Sequence, residues 1–129
     1  MEKKKFLIVE KNLIKAMAME KDLIALGLES IGIATDYLTS MILIKDTAPD
    51  VVYLNPNLTL EAEGLGVAIE IEMRVKCKIF VFTSGLSEIL KERFIAAHSY
   101  VFIDEMDPVC LSNTVIEEVN CDKCEKELM

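Results

Sequence analysis

No apolar run in this sequence approaches the 18 or so residues that a membrane-spanning helix requires. The amino terminus passes from charge straight into strand-like sequence, without a small-residue cleavage site. Both absences point to a cytoplasmic location. Positive charge is scarce as well: 14 basic against 22 acidic side chains leave a formal charge of -8, which disfavours a nucleic-acid backbone as partner and favours solubility. Lys3, Lys4 and Lys5 form one short basic cluster that reads as a solvated end.

Catalytic groups are equally sparse. His98 is the single histidine, placed at an element boundary, and Ser84, Ser87 and Asp104 are ordinary turn or cap residues that assemble no nucleophile–base–acid set with it. Gly64-x-Gly66 lacks the third glycine of a dinucleotide fingerprint and does not directly follow the first strand. Gly85 after Thr83-Ser84 is too little for a phosphate cradle. No residue is assigned a catalytic role, and the chain is expected not to be an enzyme. There is no repeat, linker or low-complexity segment, and no room for an attached helix-turn-helix module, so any signalling output must pass through another chain.

Four cysteines occur in 129 residues, at 77, 110, 121 and 124. With 52% apolar residues, a chain of this length builds a core without disulfide staples, and reduced thiols are expected. Cys121 and Cys124 are three apart, a spacing that suits half a thiolate metal site or a redox pair. Asp122 and Glu125 oppose thiolate formation there, which favours incidental surface cysteines. The length suits a single domain spanning 1–129, with 125–129 as a flexible polar tail.

The order of elements is readable. Phe6-Leu7-Ile8-Val9 is a buried-strand run, after which Leu13, Ile14, Met17, Ile24 and Leu28 recur at helical spacing and end near Gly27. Ser30 to Ala34 fits a second strand, and Asp36 fits the cap of a helix carrying Leu38, Met41, Ile42 and Ile44. Val51 to Leu54 is a third strand, a loop runs to about Glu63, and Leu65, Ala68, Ile69 and Met73 form a helical stripe. Lys78 to Phe82 is a fourth strand, Leu86, Ile89, Leu90, Phe94 and Ala97 share a helix face, and Tyr100 to Ile103 is a fifth strand. From Pro108, well placed in a first helical turn, Leu111, Val115, Ile116 and Val119 mark a last helix.

Five strands alternating with five helices predict an α/β, doubly wound (βα)5 flavodoxin-like sandwich, with a five-stranded parallel sheet of order 2-1-3-4-5. Ligands of such sheets bind beyond the carboxyl ends of the first and third strands. The residues there are Glu10, Lys11, Asn55 and Thr83.

Phe6-Leu7-Ile8-Val9-Glu10, Pro49-Asp50-Val51-Val52-Tyr53-Leu54-Asn55 and Thr83 after Ile79-Phe80-Val81-Phe82 together resemble the receiver domain of CheY-like response regulators in two-component systems, from Lys5 to about Glu118. In that family an aspartate accepts phosphate, a divalent cation is held by carboxylates, and a lysine pairs with the phosphoryl group. The resemblance puts Asn55 at the phosphoacceptor and Glu10 at the first acidic position. Lys11 falls at the second acidic position, and Asn57 where a backbone carbonyl meets the metal. Thr83 matches the switch hydroxyl, Tyr100 or Phe102 the switch aromatic, and Ile103 or Glu105 the lysine, depending on a small gap.

An amide has no ionised oxygen and a delocalised nitrogen lone pair, so Asn55 cannot serve as the nucleophile. Magnesium usually takes one or two carboxylates from a protein. Here Glu10 offers one and the Lys11 ammonium opposes the cation, so magnesium binding is expected to be weak or absent and no other cofactor is expected. Lys11 either reaches solvent or projects into the emptied pocket toward Glu10 and Asn55. The resemblance thus implies a degenerate receiver that signals through protein–protein contact, with another signalling protein or a second copy, on the face of the fourth helix, fifth strand and fifth helix. The alternative is an atypical response regulator still engaged in a phosphorelay with a histidine kinase or phosphotransfer partner.

Overall fold

The computed structural model describes residues 3–55, 61–74, 77–82, 88, 89, 92 and 101–103. Strands β1 (Lys5–Val9), β2 (Glu29–Ala34), β3 (Val51–Leu54), β4 (Lys78–Phe82) and β5 (Val101–Ile103) form one sheet of order β2-β1-β3-β4-β5. Each of its four strand pairings is parallel. Helices α1 (Leu13–Ala25), α2 (Tyr37–Asp46) and α3 (Glu61–Arg74) supply the crossovers between the first four strands. Glu88, Ile89 and Glu92 are helical, and the last expected helix, from Pro108, lies outside the described residues, as does the 125–129 tail.

The strands form where apolar residues run without alternation, because both faces of the sheet are covered. Leu7, Val9, Val52, Leu54 and Val81 enter one core with Ile44 of α2 and Val67, Ala68 and Ile71 of α3. Phe6, Ile8, Val51, Tyr53, Phe80 and Phe82 enter the other, beneath Ala16, Met19 and Leu23 of α1. The second core is aromatic: the Tyr53 ring stacks on Phe80 at 5.3 Å and meets Phe6 edge-on at 6.3 Å. Such pairs add roughly 0.5–1.5 kcal/mol beyond the area they bury.

Local signals set the ends of the helices. The Asn12 side chain accepts the Lys15 N–H at 3.2 Å, and Asp36 accepts the Thr39 N–H at 2.7 Å, each satisfying a donor that the helix itself leaves open. Gly27, at φ 101°, turns the chain so that the Leu28 N–H returns to the Leu23 carbonyl at 3.1 Å. Only a residue without Cβ takes this conformation cheaply. At the amino-terminal edge of the sheet, Asp50 clamps β1: its carboxylate accepts the Lys5 N–H and its own N–H donates to the Lys5 carbonyl, both at 2.8 Å.

Several expected helix faces are turned. Leu13, Ile14, Met17 and Ile24 are exposed, and α1 buries Ala16, Met19 and Leu23 instead. Leu38 and Ile42 of α2 are exposed while Ser40 and Ile44 are buried. In α3, Met73 is exposed and Val67 and Ile71 join Ala68 in the core. Ile89 is also exposed. These helices carry apolar residues on more than one side, so spacing alone does not choose which side meets the sheet. Helix α3 begins at Glu61 within the expected loop, and β5 begins at Val101.

Candidate functional site

The register of the central strands brings Glu10 and Asn55 together. Val9 pairs with Leu54, so the next residue of each strand emerges at the carboxyl edge of the sheet. The Asn55 N–H donates to the Val9 carbonyl at 2.8 Å, and the Glu10 N–H donates to Ala34 at 2.9 Å. Three strands, β2, β1 and β3, therefore fix the backbones of the two residues.

Glu10 is 2% exposed and Asn55 is half-buried. The Asn55 Nδ2 atom lies 3.1 Å from both Oε1 and Oε2 of Glu10. One amide group thus straddles the whole carboxylate. A buried carboxylate is costly unless donors or a cation face it, and here a neutral donor takes that position. Its reach depends on the amide: a carboxylate at residue 55 would place two acceptors at this distance, with no proton between them unless one were bound.

Lys11 is exposed, and among the described residues it forms no ion pair with Glu10. The group that faces the Glu10 carboxylate is the Asn55 amide. Phe102 and Ile103 lie on β5, with Phe102 in register with Val81 and Ile103 with Phe82. Asn57, Thr83, Tyr100, Glu105, Cys121 and Cys124 lie outside the described residues. Among the described residues no group of three histidine, cysteine or acidic side chains is gathered in a form that could hold a metal ion, and no helix is long and apolar enough to cross a membrane.

Sequence reading picked both partners of the central pair but missed the bond between them. The available signal was the equal offset of Glu10 and Asn55 from the ends of two adjacent parallel strands. The side of α1 left in water was also missed, because the helix carries apolar residues on more than one side.

No family model matches the sequence, and no curated protein matches it significantly. Solved structures do. The signal receiver domain of a modulated diguanylate cyclase from Desulfovibrio desulfuricans G20 superposes with a TM-score of 0.83 at 18% identity, over 96% of this chain and 99% of that one. The N-terminal domain of a response regulator/sensory box/GGDEF protein from Carboxydothermus hydrogenoformans gives 0.77 at 18% identity, over 95% and 98%. The chemotaxis protein CheY4 of Vibrio cholerae gives 0.73 at 20% identity, over 90% and 98%. At such identities the shared property is the fold, and the chain has the doubly wound fold of CheY-like receiver domains.

Proposed function

We propose that this chain is a degenerate receiver domain that takes part in signal transduction by protein–protein interaction, without aspartyl phosphorylation and without enzymatic activity. The observation that supports it is the Asn55–Glu10 pair: the position that matches the family's nucleophile holds an amide, and that amide is hydrogen-bonded to the carboxylate. The donor set argues in the same direction. Glu10 is one carboxylate with both oxygens engaged, and Lys11 beside it is a cation, so the residues present do not suit magnesium.

Contact through the face of the fourth predicted helix, β5 and the fifth predicted helix fits the exposure of Ile89, at 67%, on the helical turn between β4 and β5. Without a phosphoryl group to follow, Thr83 and Tyr100 or Phe102 do not work as a switch in this reading, and Cys121 and Cys124 are incidental.

Acetyl phosphate labelling in magnesium, followed by intact mass, tests the proposal on the natural chain and on Asn55→Asp. The natural chain is expected to remain unlabelled, and Asn55→Asp alone to label poorly because Lys11 still disfavours the metal. A hydroxylamine-sensitive phosphoryl adduct on the natural chain would sink the degenerate reading. A native pull-down would then identify the partner.

A further inference from the structure

We draw no further inference here: the strongest candidate, the exposed apolar side of helix α1 formed by Leu13, Ile14, Met17 and Ile24, is a helix face for which nothing in the structure shows what covers it.

Discussion

The Asn55 amide nitrogen faces both carboxylate oxygens of Glu10 at 3.1 Å, joining two residues 45 apart in the chain. A neutral side chain thereby meets the needs of a buried acid at the carboxyl edge of the sheet. The properties of the pair follow from the donor character of residue 55.

Replacing that donor by an acceptor of equal size isolates the effect. Asn55→Asp sets a second carboxylate against Glu10, which is buried, and a buried charged acceptor deprived of its donor costs about 1–3 kcal/mol or more. Urea unfolding near neutral pH should show a lower midpoint with an unchanged slope. Added magnesium should recover only part of the loss, since Lys11 stays beside the site. An unaltered midpoint would mean that the amide contributes nothing as a donor.

How much of this was legible in the sequence differs between strands and helices. The runs Phe6 to Val9, Val51 to Leu54 and Lys78 to Phe82 are apolar throughout, so their positions and their parallel pairing were readable, as was the Asp36 cap. Helix faces were not. Leu13, Met17 and Ile24 offer as good a stripe as Ala16, Met19 and Leu23, and only the sheet decides between them. Glu10 and Asn55 were legible as neighbours at strand ends. Their bond was not, because it depends on which side-chain atom of Asn55 turns to the carboxylate and on where Lys11 goes instead.

The aromatic core beneath α1 predicts a larger loss of stability than the site does. Phe80 is fully buried and stacks on Tyr53 at 5.3 Å. Phe80→Ala removes both the buried ring and its stacking on Tyr53, for a cost of about 3–5 kcal/mol. Equilibrium unfolding measures it directly. A cost under about 1 kcal/mol would show that the neighbouring rings collapse into the space.

Asp36 gives the fold a dependence on acid. Its carboxyl is held below the usual 3.8, chiefly by the Thr39 backbone N–H and then by the Thr39 side chain, against weak desolvation. A lowered folded-state pKa means that the stabilisation is present above 3.8 and is lost as pH falls through the folded value. Asp36→Asn keeps a capping oxygen but does not titrate. The stability difference between the native chain and this variant should therefore shrink as pH drops below 3.8, read from thermal melts at matched ionic strength. A difference that holds constant into acid would remove the Thr39 bond as the cause.

Lys11 provides the sharpest test of whether the proposed weakness toward magnesium rests on one residue or on several. It is exposed and follows Glu10 directly, so Lys11→Asp alters local charge without disturbing a packed side chain. Alone, this variant leaves the Asn55 amide on Glu10 and should bind magnesium no better than the native chain. Combined with Asn55→Asp, it gathers three carboxylates at the ends of β1 and β3 and removes the ammonium that opposes a cation, a donor set of the hard-oxygen kind that magnesium takes. The double variant should show a magnesium-dependent rise in melting temperature that neither single variant shows, with a coupling between the two sites of about 0.5–3 kcal/mol. Additive effects would instead mean that residues 11 and 55 act on separate sites and that the charge at position 11 has no bearing on the pocket.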